Sequence, residues 1–461
     1  MAAQELARAQ DIARAHGWNA TSFQTLGRGF SYLFHDDGYV AYVDTGAAWV
    51  AAGAPVCSDA SLASGVDAFV AAARKAGRRS CFFGVETRLL AAAGGALDGV
   101  LVGEQPVWSP LDWVESLKAH PSLREQVRRA RAKGVAIRQV TDADAPTLHD
   151  DLHRLLGRWL ATRAMPPMGF LVAVPNAFEA VDGQRFVAFR GDVIVGVACV
   201  IPVPGRNGWF LEHLLRDPDA PNGTVELLVD AVMRWAADSG CTWLTLGLAP
   251  LSGDLPRPLR FARERLAWLY DFEGLRRFKA KLRPRAWEPI YLAFPSSGSA
   301  AVATYDALNA FADGGILSFG GRFLLRGHPA LIGALGALLV PWTLLLALSR
   351  ANDWFAGHVV VKCGWVAFDC VLIFGLAFLL RRPSFGLAAS LAVLVTLDAV
   401  LTPLEAAFWN LPRQHGTADL LIIAVACLAP LVAAVVVWGA AYRLSQTRSA
   451  DSTSASHAER V

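Results

Sequence analysis

The chain lacks the short signatures by which many enzymes are recognised. Its seven cysteines, Cys57, Cys81, Cys199, Cys241, Cys363, Cys370 and Cys427, include no Cys-x-x-Cys pair, which excludes a zinc or dithiol centre of that spacing. No P-loop, no Gly-x-Gly-x-x-Gly turn and no Gly-x-Ser-x-Gly elbow occurs, removing the common phosphate-cradling and serine-hydrolase solutions. His149 and His153 stand at i, i+4, but Asp150 replaces a metalloprotease's glutamate and no third ligand is evident. No metal is therefore expected. The opening MAAQELARAQDIARAHGW has no apolar leader core; it reads as an amphipathic helix stopped by Gly17, and no secretory signal is expected there. Reduced, buried cysteines in a cytosolic head follow from the same absences.

Charge is scarce in one part of the chain only. The net charge is +3, and charges run throughout residues 1–325, whereas 329–440 hold long runs with almost none. Four apolar runs, Pro329–Leu348, 359–380, 385–404 and 420–440, are each long enough to cross a ~30 Å hydrocarbon core as a helix. Arginines 322, 326, 381, 382, 443 and 448 cluster on alternate loops, while the other loops carry only Arg350, Lys362 and Arg413. The positive-inside rule places the head, the middle loop and the tail in the cytosol of a bacterial-type plasma membrane. The Ser/Ala-rich tail is expected to be disordered. Asp369 and Asp398 fall inside spans, at depths of roughly 16–20 Å from the cytosolic ends, where they can meet. They read either as a proton-sharing pair or headgroup site, or as two protonated acids bonded to neighbouring helices.

Strand and helix patterns alternate through residues 1–295. Segments 39–45 and 49–52 read as strands around Gly46, 61–76 as an amphipathic helix ended by Gly77, and 81–85 as a buried strand. The pattern repeats with a hairpin, 185–190 and 193–202, around Gly191-Asp192. Strand 208–215, helix Thr224–Asp238 and strand 243–246 follow. The fold class is α/β: two tandem lobes joined by a basic helix, followed by four transmembrane helices. The expected domains are 1–138, 139–298, a connector 299–328, a membrane domain 329–442 and a tail 443–461.

The basic helix, 122–134, aligns Arg124, Arg128 and Arg131 at i, i+4, i+7, a stripe suited to phosphates of RNA or of a lipid surface. A second cluster, Arg276, Arg277, Lys279, Lys281, Arg283 and Arg285, precedes the strand 290–293. Either can be a solvated face; two together point to a polyanionic substrate. Between strand and helix, RDPDAPNGT ends in Asn222 and Gly223. Asn222 is the candidate N-cap, and the helix start would offer N–H groups to an anion.

Several stretches carry a family likeness: 123–134 (LREQVRRARAKG), 167–170 (PMGF), 217–224 (DPDAPNGT), 246–253 (LGLAPLSG) and 272–292 (FEGLRRFKAKLRPRAWEPIYL). In these the head resembles the C-terminal synthase domain of lysyl- and alanyl-phosphatidylglycerol synthases, the multiple peptide resistance factors. The resemblance implies two acetyltransferase-like (GNAT) lobes. It also implies an aminoacyl-tRNA donor, a phosphatidylglycerol acceptor and a role in antimicrobial peptide resistance. It further implies that Glu212 and Asp217 act as base or orienter, the alternative for either being a salt bridge to a nearby arginine, and that Arg163, Asn222, Gly223, Lys279, Lys281 and Arg283 bind substrate phosphate or headgroup. An aminoacyl ester is already activated, so no cofactor is expected. The chain departs from the family in placing the synthase-like part ahead of the hydrophobic helices, in Leu248 where Met is usual, and in Ala286 within the Pro-x-Trp spacing. An acyl-CoA-dependent N-acyltransferase and a lipid transporter with a regulatory head remain alternatives, and homo-oligomerisation stays open.

Overall fold

The period-two and period-3.6 patterns of the first 316 residues condense around one twisted sheet. The computed structural model describes residues 2–141, 144–163, 165–174, 178–266, 270–350, 354–355, 357–413 and 416–458. The chain divides into two units, Met1–Ile316 and Leu317–Val461.

In the first unit, α1 (Ala2–His16) leads into β1 (Ser31–His35), β2 (Gly38–Asp44) and β3 (Ala48–Ala52). Then come α2 (Leu62–Lys75), β4 (Arg79–Val85), α3 (Thr87–Ala92) and β5 (Leu97–Trp108). α4 (Trp113–Ala119) and α5 (Pro121–Ala132) lead to β6 (Val135–Val140), α6 (Ala145–Ala161), β7 (Gln184–Arg190), β8 (Val193–Val203) and β9 (Gly208–Arg216). α7 (Thr224–Asp238), β10 (Trp243–Thr245), β11 (Ala249–Pro250), α8 (Arg257–Leu266), α9 (Phe272–Lys281), β12 (Ala286–Pro295) and α10 (Ala300–Phe311) complete it. The sequence punctuation works as expected at Gly77 (φ 69°), which ends α2, and at Gly191 (φ 59°), which turns the β7–β8 hairpin.

The strands form one mixed sheet in the order β1-β2-β3-β4-β12-β5-β10-β9-β8-β7-β6, with β11 on β5. The two tandem lobes of the expectation are not separated into units of their own. β12, from the second half of the chain, lies antiparallel between β4 and β5, pairing with β5 from Ala286↔Val107 to Pro295↔Leu97. The basic helix is no linker either. Leu123, Val127 and Ala130 at i, i+4, i+7 put α5 into the core with Trp113, Leu228 and Met233, each large side chain contributing about 1.5–3 kcal/mol by burial.

Alternation sorts the side chains onto two faces. One carries Val40, Ala51 and Phe82 under α2 and α3, and Val200 and Leu211 under α5 and α7. On the other, Ala48, Val50 and Leu292 meet α10, and Val187, Val197 and Leu215 meet α6. Between these, Tyr39 and Ala41 of β2 join Ile201, Val203 and Phe210 of β8 and β9 around Ala9 and Ala13 of α1. Strands so far apart in the order share a cluster because the twisted sheet curls about α1. The presumed connector thus contains α10, whose buried Asp306 receives Arg79 at 2.6 and 2.8 Å.

The second unit holds α11 (Ile316–Leu325), α12 (Pro329–Leu348), α13 (Val359–Arg381), α14 (Phe385–Glu405) and α15 (Thr417–Ala458). The spans Pro329–Leu348, Val359–Arg381, Phe385–Arg413 and Thr417–Ser445 are long and apolar enough to cross a membrane. Small residues, Ala388, Ala392, Ala440 and Ala441, sit in their shared core with Leu372, Leu376 and Val436, letting backbones approach as apolar surroundings require. α15 runs on to Ala458 where a disordered tail was expected.

Candidate active site

The register of β8 against β9 breaks at one place. Val200 pairs with Leu211 and Cys199 with His213, leaving Glu212 as the extra residue of a β-bulge. Without the bulge, neighbours in a strand point to opposite faces. With it, Leu211 and Leu214 stay in the core under α7, and Glu212 and His213 both fall on the face of Phe210 and Leu215. The Glu212 Oε1 and His213 Nε2 atoms are 3.6 Å apart, with side-chain exposures of 13% and 10%.

Glu212 is oriented from the far end of the sheet. Gln24, in the 3-10 turn Gln24–Leu26 after α1, donates through Nε2 to Glu212 Oε1 at 2.9 Å and to the Leu171 carbonyl at 3.0 Å. Leu171 belongs to the turn Phe170–Val172, directly after the PMGF stretch. That turn is held by the Gly169 N–H donating to the Phe311 carbonyl at 3.1 Å. The Phe170 ring, 5.9 Å from Phe30 and 5.1 Å from Phe311, holds it too. Phe170 has φ 57°, a left-handed conformation that a bulky residue keeps only where packing over-determines it.

Burial lowers His213 from its ordinary value, against the opposing pull of Glu212, so the imidazole is neutral at pH 7. Burial pushes the facing Cys199 thiol up to about 12, which leaves it inert. A neutral imidazole beside a carboxylate, both on a rigid strand, can take a proton from a hydroxyl and hold the resulting charge.

The other expected residues are distributed differently. Asp217 is buried and braces a turn: Oδ1 accepts from Arg158 and from the Asp219 N–H, each at 2.9 Å. Asn222 is exposed and does not cap α7; the N-cap is Gly223, φ 95°, with no side-chain cap bond. A side chain at 223 would strike the Gln126 carbonyl of α5, so glycine lets two helices touch rather than opening a phosphate cradle. Lys279 is buried, not on the surface. Its Nζ donates to the carbonyls of Leu246, Gly247 and Leu248 at 2.8, 2.8 and 2.9 Å, clamping the LGLAPLSG turn. Burial drives its amine down to about 7, while three acceptors favour the ammonium. The Ser252 hydroxyl donates to the Ala249 carbonyl at 2.7 Å and accepts from the Glu104 N–H at 3.1 Å, fixing the same turn.

Lys281 and Arg283 are exposed, as is Arg285. The α5 stripe is largely engaged at home. Arg128 forks onto Glu125 at 2.7 and 2.8 Å, and Arg131 reaches the fully buried Asp230 at 2.9 Å. Arg124 donates to the Lys118 carbonyl. Arg163 lies over the Trp159 ring at 4.1 Å. In the membrane unit, Asp369 accepts from Thr343 at 3.2 Å and Asp398 from Thr402 at 2.6 Å. Both line one cavity with Trp342, Trp365 and Glu405. The rings of His149 and His153 lie 4.3 Å apart, tilted by 54°. Among the described residues no group of three His, Cys, Asp or Glu is gathered for a metal ion. Reading the sequence missed Gln24 and His213. The bulge that unites His213 with Glu212 leaves no local signal, and Gln24 is 188 residues away from its partner.

Residues 9–294 match the family model described as phosphatidylglycerol lysyltransferase, C-terminal. The phosphatidylglycerol lysyltransferase of Bacillus subtilis is 32% identical over 164 residues, 34% of this chain and 19% of that protein. The lysylphosphatidylglycerol biosynthesis bifunctional protein LysX of Mycolicibacterium vanbaalenii is 26% identical over 212 residues, 43% of this chain and 19% of that protein. The aligned stretches therefore span about a fifth of these relatives. A solved C-terminal domain assigned to a lysylphosphatidylglycerol synthetase of Agrobacterium fabrum superposes with a TM-score of 0.60 at 26% identity, covering 68% of this chain and 99% of that one. L-PGS from Bacillus licheniformis shares the fold, with a TM-score of 0.56 at 20% identity over 66% of this chain and 96% of that one.

Proposed function

The chain belongs to the phosphatidylglycerol lysyltransferase C-terminal family, and we propose that it transfers an aminoacyl group from aminoacyl-tRNA to a headgroup hydroxyl of phosphatidylglycerol or a closely related anionic lipid. The observation that carries this reading is the Glu212–His213 pair on the β9 bulge, oriented by Gln24. In the reaction, His213 accepts the lipid hydroxyl proton as that oxygen attacks the ester carbonyl carbon. The new ester bond forms and the bond to the tRNA ribose oxygen breaks. The imidazolium returns its proton to the departing oxygen, and Glu212 stabilises the imidazolium between the two steps. The ester is already activated, so orientation and proton transfer are the work required.

Lys281, Arg283 and Arg285 are exposed and are proposed to contact substrate phosphates; Asp217 and Lys279 hold backbone. The membrane spans would keep the enzyme at its acceptor. The arginine-bearing loops support a cytosolic head, the compartment that supplies aminoacyl-tRNA.

The test is a lipid profile. The full chain and its Glu212→Gln and His213→Asn variants are produced in a host lacking aminoacylated lipids, and extracts are compared by mass spectrometry. A new lipid heavier by one amino-acid residue, lost in both variants, is expected. An unchanged lipid profile with the wild-type chain well expressed would refute the reading. Full product with His213→Asn would remove His213 as the base.

A further inference from the structure

α8 presents an arginine-rich outer face with an aromatic ring at its centre. At about 100° per residue, Arg260, Glu264, Arg257, Phe261, Arg265 and Pro258 fall in that order on one arc, and all six are exposed. Leu259, Ala262 and Arg263 fall on the opposite arc and are partly buried, with Arg263 donating to the Leu251 carbonyl at 3.3 Å. Phe261, in the middle of the outer arc, is 58% exposed. The Arg265 guanidinium lies 4.9 Å from its ring centre. The side chains of Arg257 and Arg260 have no hydrogen-bond or ion-pair partner among the described residues.

Three arginines face outward against a single glutamate, so the face is charged for an anionic partner. An exposed aromatic at the centre of such a face gains nothing from water. At a lipid headgroup layer it enters the acyl boundary, while arginine stems lie along the apolar surface with their guanidinium groups on lipid phosphates. The chain's own membrane spans keep the head tethered to a bilayer, so even a weak surface contact is continuously available. We propose that α8 docks on the surface of an anionic leaflet, with Phe261 inserted and Arg257, Arg260 and Arg265 on phosphates. The inference stands on the helix face and its charge, independently of the reaction proposed above.

The experiment is hydrogen–deuterium exchange mass spectrometry on the full chain in nanodiscs of phosphatidylcholine alone or with added phosphatidylglycerol. Backbone amides of α8 are expected to exchange at least several-fold more slowly in the anionic discs, with α2 unchanged as an internal control. The R257E/R260E double variant and F261S are expected to lose that protection. Equal exchange in the two discs overturns the proposal, because the comparison uses the wild-type chain and does not depend on how a variant folds. Protection in neutral discs on adding soluble glycerol phosphate, or on adding tRNA, also overturns it, by assigning the face to a free phosphate or a polynucleotide.

Discussion

Replacing Lys279 by Met separates two roles that the sequence alone does not distinguish. If the side chain bound substrate phosphate, its loss would weaken substrate binding and leave the fold intact. In the structure it donates to three carbonyls of the 246–248 turn. Left without a partner, each buried carbonyl costs about 1–3 kcal/mol. Part of that is offset because a buried ammonium, itself costing several kcal/mol to desolvate, is removed. The net loss expected is about 3–5 kcal/mol, as when one partner of a buried ionic contact is deleted. For a unit this large, at about 2 °C per kcal/mol, the head's melting midpoint falls by about 6–10 °C. The assay is thermal unfolding of the purified full chain in detergent, followed by tryptophan fluorescence, beside the same measurement on Lys281→Met. Lys281 is exposed, and its replacement is expected to leave the midpoint within about 1 °C. A Lys279→Met midpoint equal to wild type, with raised KM and a weaker salt dependence of activity, would refute the clamp and restore the phosphate role.

Three further outcomes are expected. Burial holds His213 below its ordinary 6.5, so the unfolded chain binds that proton more readily. Stability is therefore lost as pH falls from about 6.5 through the folded value. The acid limb of the wild-type pH–rate profile lies below pH 6.5, and Glu212→Gln, which removes an upward pull on His213, moves the imidazole's own titration, followed by NMR, lower still; a limb above 6.5 would exclude His213 as the group that must be neutral. Gln24→Leu is expected to cut kcat by about 10–100-fold at nearly unchanged KM and to cost about 1 kcal/mol of stability, which steady-state kinetics and melting together check. Gly223→Ala combines a left-handed backbone with a clash at the Gln126 carbonyl and is expected to cost about 2–4 kcal/mol, read from denaturant unfolding.

Local chemistry was legible where a residue's neighbours in sequence decide the outcome. The four spans, the β7–β8 hairpin and helix Thr224–Asp238 depend on composition or on a short period, and the structure has them close to their expected limits. Glu212 was reached through the family resemblance. His213 was not, because strict alternation turns it to the opposite face and only the unpaired register at Cys199 and Val200 brings it back. Lys279 sits among arginines and lysines that are mostly exposed, and nothing in FEGLRRFKAKLRPR marks which cation turns inward. Two of the α5 arginines read as open because the partners of Arg131 and Arg124, Asp230 and the Lys118 carbonyl, come from other elements, whereas Arg128 meets Glu125 on α5 itself. The single sheet was hidden for the same reason: strand order is set by pairing across the chain, and β12 has no sequence feature that announces its neighbours.

The placement of β12 bears on how the molecule is made. β4 and β5 are finished early in synthesis, yet the strand that lies between them arrives roughly 180 residues later, a delay of about 10–35 s at ~5–20 residues per second. Until then both strands present bare hydrogen-bonding edges, the state from which nascent chains mispair. The amino-terminal half therefore cannot be completed as an independent module. Its last structural strand leaves the ribosome only shortly before the first hydrophobic span at Pro329. Closure of the sheet and delivery to the membrane fall together in time, so a stop codon or a domain cut anywhere between 110 and 285 is expected to leave an aggregation-prone fragment rather than a smaller enzyme.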